Sequence, residues 1–122
     1  LRKRAAIAPG LAIFADSFVK HAVPLAELDR VQVANDLRER GLADALIITG
    51  AETGAAPDAD RLRELRGAID APLLIGSGLT EENASTFADA DGAIVGTSIK
   101  TDGVVDAARV ERLVHAFKTK GR

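Results

Sequence analysis

Two short glycine-rich stretches, Gly76-Ser77-Gly78 and Gly96-Thr97-Ser98, carry the residue types that hold a phosphate. Glycine lets backbone N–H groups approach phosphate oxygens. Serine and threonine hydroxyls add donors, and the amino end of a following helix adds partial positive charge. Lys100, two residues past Ser98, offers a point charge to the same anion. One such loop is a weak signal, because glycines also serve ordinary tight turns. Two of them after successive strands are a stronger one.

A second group is Asp16-Ser17-Phe18-Val19-Lys20-His21. An aspartate beside a lysine or histidine can hold a substrate hydroxyl, orient a general base or take a divalent ion. Asp16, His21 and Lys20 are therefore the catalytic candidates. The competing reading has Asp16 capping a loop and the other two solvated. A third group, Thr49-Gly50-Ala51-Glu52-Thr53-Gly54, is a polar, glycine-bracketed loop suited to covering a ligand. Thr49 and Thr53 rank above Glu52 as contacts within it. His115 falls beside the apolar stripe of the last helix and reads as a surface residue. With 2 His and no Cys, and no H-x-x-x-H spacing, the sequence assigns no metal and leaves any cofactor unknown.

The elements that must position these groups are four apolar runs, each followed by a segment of helical period. The runs are 11–15, 45–48, 72–75 and 93–95, rich in branched residues and apolar on both faces, as parallel strands require. After the first, Pro24 fits a helix start, Leu28, Val31, Ala34 and Leu37 form a stripe, and Gly41 fits the stop. After the second, Pro57-Asp58 opens a helix carrying Leu62, Leu65 and Ile69, with Gly67 a weak point inside it. After the third, Thr80 suits an N-cap with Glu81 and Glu82 in the first turn, and Ala84, Phe87 and Ala88 form the inner face. Asp106 caps the last helix, whose apolar positions are Val110, Leu113, Val114 and Phe117.

Alternating strands and helices imply right-handed parallel crossovers, so the fold class is α/β. A (β/α)8 barrel takes ~250 residues, and four units in 122 residues read as its C-terminal half, a single partial domain over residues 1–122. In a barrel the strand ends carry the site, which puts the two glycine loops and Asp16 on one face. The chain has no Met, and Leu1 reads as an internal start; Arg2 to Ile7 read either as the tail of a preceding helix or as a solvated arm. Half a barrel leaves two sheet edges and an apolar inner face open. The expected partner is the missing N-terminal half barrel or a second copy.

Composition narrows the partners. The 16 Lys and Arg nearly balance the 18 Asp and Glu, so no overall field recruits nucleic acid, and 4 Phe with no Trp or Tyr provide no base-stacking platform. No apolar stretch reaches a membrane-spanning length and no signal peptide opens the chain, so a cytoplasmic location is expected.

Four segments together resemble the BtpA/SgcQ family. They are Ile13-Phe14-Ala15-Asp16-Ser17-Phe18-Val19-Lys20-His21-Ala22, Gly41 to Gly50, Ile75-Gly76-Ser77-Gly78-Leu79-Thr80, and Asp91-Gly92-Ala93-Ile94-Val95-Gly96-Thr97-Ser98-Ile99-Lys100. The resemblance, to the C-terminal half of the family, implies a ribulose-phosphate-binding-type (β/α)8 TIM barrel. It also implies a link to photosystem I biogenesis in cyanobacterial members and to sugar-utilisation genes in others, with no reaction assigned to the family as a whole. Two functions follow as expectations. One is a barrel that binds or acts on a phosphorylated sugar or nucleoside-like metabolite; the other is a non-catalytic assembly or stability factor. A flavodoxin-like receiver fits less well, because Asp16 has no adjacent acid and the third strand ends in Gly76-Ser77-Gly78 rather than an aspartate.

Overall fold

The computed structural model describes residues 6–17, 25–26, 28–50 and 58–118. Four strands, β1 (Phe14–Asp16), β2 (Ala45–Ile48), β3 (Leu73–Ile75) and β4 (Gly92–Ala93), form one parallel sheet in chain order. Between them lie α1 (Arg30–Glu39), α2 (Ala59–Ala68) and a 3-10 turn (Ala84–Phe87). After β4 come a second 3-10 turn (Thr97–Ile99), the antiparallel hairpin β5 (Lys100–Thr101) and β6 (Val104–Val105), and α3 (Ala107–Lys118). No helix among the described residues is long and apolar enough to cross a membrane.

Register separates the two faces of the sheet. Ala15, Leu46, Leu73 and Ile75 share the face that packs on the helices, together with Ile48. Leu46, Ile48, Leu73 and Ile75 are fully buried there against Ala34, Leu62, Leu65 and Ile69. Phe14, Asp16, Ala45, Ile47, Leu74 and Gly92 share the opposite face, which is the inside of a barrel wall.

The helix ends follow local chemistry. Asp29 accepts from the Gln32 amide at 2.9 Å and caps α1, and Asp58 accepts from the Asp60 and Arg61 amides and caps α2. The expected cap at Asp106 is present, its carboxylate accepting from the Ala108 and Arg109 amides. Pro24 and Pro57 lie outside the described residues. Leu28 precedes α1 and is exposed, so the stripe there is Val31, Ala34 and Leu37. On α3, Leu113 is buried and Phe117 packs on the core, whereas Val114 is exposed. At the end of α1 the left-handed residue is Leu42 (φ 51°) rather than Gly41.

Two carboxylates anchor the strands from below. Asp44, just before β2, accepts from the Ile13 amide at 2.6 Å; Asp91, just before β4, accepts from the Leu73 amide at 2.7 Å and from the Arg66 guanidinium. Burial pushes the Asp91 carboxyl up, but the Arg66 and Leu73 hydrogen bonds and the Arg66 charge outweigh it and hold the group below the ordinary range.

The segment after β3 is not the α-helix expected from Thr80. The Asn83 side chain accepts from the Thr80 amide at 2.8 Å and donates to the Gly78 carbonyl at 2.9 Å, folding the chain into turns. Asn83, Ser85 and Thr86 compete for backbone partners, which disfavours a regular helix. Only the four-residue 3-10 turn forms, although it still buries Ala84 and Phe87.

Candidate functional site

The two glycine loops meet. Gly76 to Thr80 and Ile94 to Ser98 line one cleft of about 520 Å³ at the carboxyl ends of β3 and β4. All six expected phosphate-loop residues, Gly76, Ser77, Gly78, Gly96, Thr97 and Ser98, stand in its wall. Lys100 is exposed on β5 and does not line it, and the lining carries no cationic side chain.

The polar groups around the cleft divide into engaged and unengaged. The Ser98 hydroxyl donates to the Leu79 carbonyl at 2.7 Å and ties one loop to the other. Arg109 reinforces this from behind, its guanidinium donating to the Ser98 carbonyl at 3.4 Å. The Thr80 hydroxyl beside it holds the Glu82 carboxyl below its ordinary value. By contrast, the buried Ser77 hydroxyl has no hydrogen-bond partner among the described residues. The amides of Ser77, Gly78, Gly96 and Thr97 have none there either. Gly96 and Thr97 are exposed, so solvent serves their amides; the Ser77 hydroxyl is the buried donor of the set, and buried donors are normally satisfied.

The helix dipole expected behind both loops is missing. A 3-10 turn follows the first loop, another takes in Thr97 and Ser98 of the second, and the first regular helix after Ser98 begins only at Ala107. Between them stands a hairpin turned by Asp102 and Gly103, both left-handed (φ 51° and 81°), the backbone of a type I′ turn. The donors that face this cleft are therefore amides and a hydroxyl, with no helix terminus behind them.

Asp16 and Thr49 come together on the inner face. The Thr49 hydroxyl, in a residue only 6 % exposed, donates to Asp16 Oδ2 at 3.0 Å. Gly76 is their neighbour one strand on. A Cβ there would stand 2.7 Å from Thr49 Oγ1 and closer still to Ile47 Cγ2, so only glycine leaves room for the Asp16–Thr49 pair as built. Gly78 serves differently, adopting φ 75°, which lets the loop turn. Lys20, His21 and Thr53 lie outside the described residues. His115 is exposed on α3.

A charged side chain that spacing did not single out is Arg61, in the first turn of α2. Burial and the neighbouring Arg30 lower its guanidinium from its ordinary value, opposed by Asp58, Asp16 and Glu64. The signal for it is positional, since the first turn of a barrel helix sits at the mouth, beside the strand ends. Among the described residues no group of three or more His, Cys, Asp or Glu side chains is arranged to hold a metal.

Comparison with known proteins places this geometry. The sequence pattern described as the BtpA family matches residues 1–119. An uncharacterized protein of Archaeoglobus fulgidus is 46 % identical over 87 % of the chain and 42 % of its own length. The protein named photosystem I biogenesis protein BtpA of Synechocystis is 37 % identical over 96 % of the chain and 43 % of its own length. The chain thus spans less than half the length of these curated relatives. Among solved structures, N-(5'-phosphoribosyl)anthranilate isomerase from Pyrococcus furiosus superposes with a TM-score of 0.64 at 18 % identity, covering 97 % of this chain and 55 % of that one. That likeness concerns the fold, and with the four parallel β/α units it identifies half of a (β/α)8 barrel.

Proposed function

The chain belongs to the BtpA family, and from that premise we propose that it forms the phosphate-holding wall of a barrel that binds or acts on a phosphorylated sugar or nucleoside-like metabolite. The observation that carries the proposal is the set of unengaged donors at the cleft: the Ser77 hydroxyl and the amides of Ser77, Gly78, Gly96 and Thr97. An oxyanion supplies several acceptor oxygens at once, which suits donors contributed by two loops. In this reading Asp16, oriented by Thr49, accepts a hydrogen bond from a ligand hydroxyl farther along the wall. Lys20 and His21, four and five residues past Asp16 in the sequence, are the proposed acid–base partners.

Two substitutions separate binding from folding. Gly96 has open space around a built Cβ and a negative φ of -127°, so Gly96→Asp places a carboxylate in the cleft without crowding. Ser77→Ala removes a buried hydroxyl whose desolvation costs about 1 to 3 kcal/mol when unpaired. Titration calorimetry with inorganic phosphate and with a pentose phosphate is expected to show binding by the parent chain, at least tenfold weaker in Gly96→Asp. Ser77→Ala is expected to bind more weakly while melting at the same temperature or higher. No heat with either ligand, or affinity indifferent to both changes, rejects the phosphate reading.

The name of the Synechocystis relative favours a second reading, a non-catalytic assembly factor. It predicts a persistent protein partner and tolerance of Asp16→Asn. Loss of the biological effect in that variant at unchanged stability rejects it.

A further inference from the structure

The backbone of the two loops is sorted by polarity. Five carbonyl oxygens of the cleft-lining segments already accept a hydrogen bond. That of Gly78 accepts from the Asn83 side chain, that of Leu79 from the Ser98 hydroxyl, and that of Thr80 from the Ala84 amide. The Thr97 carbonyl accepts from the Lys100 amide and the Ser98 carbonyl from the Arg109 guanidinium. The amides of Ser77, Gly78, Gly96 and Thr97, by contrast, have no such bond among the described residues. The cleft keeps donors while its acceptors are drawn off. A carbonyl oxygen turned towards a bound oxyanion would repel it, so tying acceptors back is as much a part of anion recognition as supplying donors.

Asn83 makes two of these arrangements from outside the cleft wall, which it does not line. Its Nδ2 donates to the Gly78 carbonyl at 2.9 Å, and its Oδ1 accepts from the Thr80 amide at 2.8 Å. In a trans peptide the C=O and N–H point opposite ways. Holding the Gly78 carbonyl therefore turns the Leu79 amide away from Asn83. Holding the Thr80 amide sends the Leu79 carbonyl the other way, where the Ser98 hydroxyl takes it at 2.7 Å. The Leu79–Thr80 peptide is thus gripped at both ends.

We propose that Asn83 is a positioning residue for anion binding, which sets the selectivity of the cleft through the direction of these two peptides and does not touch the ligand. The proposal rests on the phosphate reading above. The task needs one acceptor and one donor on a single planar terminus, which a carboxamide has and an ionised carboxylate lacks.

Asn83→Asp tests it at constant shape. The carboxylate can still accept from the Thr80 amide, but it has no proton for the Gly78 carbonyl and repels it; once protonated, it regains a donor. Sulfate is the probe, because it keeps its double charge at acid pH where phosphate does not. Titration calorimetry of the full chain is expected to show Asn83→Asp binding sulfate about tenfold more weakly than the parent at about pH 7, and within about threefold at about pH 4, where an aspartic acid is substantially protonated. Reading each ratio against the parent at the same pH cancels the titration of the neighbouring Glu81 and Glu82. Ser85→Asp adds the same charge at an exposed position two residues on and leaves Asn83 in place, and it is expected to bind as the parent does. Three results overturn the role of Asn83 while the phosphate reading stands: parental binding by Asn83→Asp at both pH values, equal weakness at both, or a matching loss in Ser85→Asp. If circular dichroism shows that Asn83→Asp does not fold, Ser98 carries the test from the other end of the peptide. Ser98→Ala, which frees the Leu79 carbonyl, should weaken sulfate binding, and Ser98→Thr, which keeps the hydroxyl, should restore it; equal affinity in the two overturns the proposal. A parent chain that binds neither sulfate nor phosphate rejects the phosphate reading and the role of Asn83 with it.

Discussion

Replacing Gly76 by alanine puts one methyl group where the inner layer has no space. The new Cβ would meet Ile47 Cγ2 and lie 2.7 Å from Thr49 Oγ1, the hydroxyl that holds Asp16. Overpacking of this kind costs about 1 to 3 kcal/mol, and contacts this short belong in the upper half of that range. Because Gly76 does not have a positive φ, the substitution also removes unfolded-state freedom, a gain of about 0.5 to 1 kcal/mol. The strain wins, leaving a net loss of about 2 kcal/mol. For a chain of this size that corresponds to about 6 °C in melting temperature. Thermal melts at fixed protein concentration measure it, and a double-mutant cycle assigns the cause. In a Thr49→Ala background the same change should cost less by at least about 0.5 kcal/mol, because one of the two obstructing atoms is gone. A Gly76→Ala protein that melts within a degree of the parent, or a cycle that is strictly additive, refutes the packing argument.

Asp91 should shape the acid limb of stability. Its folded carboxyl sits below the ordinary carboxylate value, so its contribution is complete above about pH 4 and is lost as pH falls through the depressed folded value. Asp91→Asn should lower the urea midpoint at about pH 6 and narrow the gap to parent at about pH 3; an equal gap at both contradicts the linkage. Ser98→Ala should cost about 1 kcal/mol and speed amide exchange in Gly78 to Thr80, since the clamp on the Leu79 carbonyl is gone. Unchanged exchange there would mean that Arg109 and the surrounding packing hold the loops without it.

Much of the frame was legible because it is written locally. The run Ala45 to Ile48 is bounded by Asp44 and Thr49-Gly50, and β2 occupies the same residues. Asp58 and Asp106 cap their helices through amides two or three residues on, an interaction that sequence distance alone specifies. The first and last strands are shorter or shifted because pairing with a neighbour, rather than hydrophobicity, ends a ladder: β1 covers Phe14–Asp16 and β4 only Gly92–Ala93. The helix expected after Thr80 fails for a reason periodicity does not register, a side chain at Asn83 bonding backward to Gly78 and Thr80. The hairpin after Ile99 had a local sign in Asp102-Gly103, but its two-residue strands are too short to stand out as apolar runs.

The site shows where a motif stops being informative. Gly76-Ser77-Gly78 looks like one feature, yet its three residues answer to three constraints. Gly76 makes room for the Asp16–Thr49 pair, Gly78 takes a left-handed backbone, and Ser77 keeps a buried hydroxyl with no partner among the described residues. The two glycines would be needed even if no anion ever bound. Ser77 is the residue that folding alone does not explain, since a buried donor without an acceptor opposes stability. Ser98 shows the converse: its type and position suit a phosphate contact, but a bond to Leu79, 19 residues away, already uses its proton. The donors that the fold leaves unused, rather than the glycines easily seen in the sequence, are the groups that support the phosphate proposal. Those donors are visible only once both loops stand side by side.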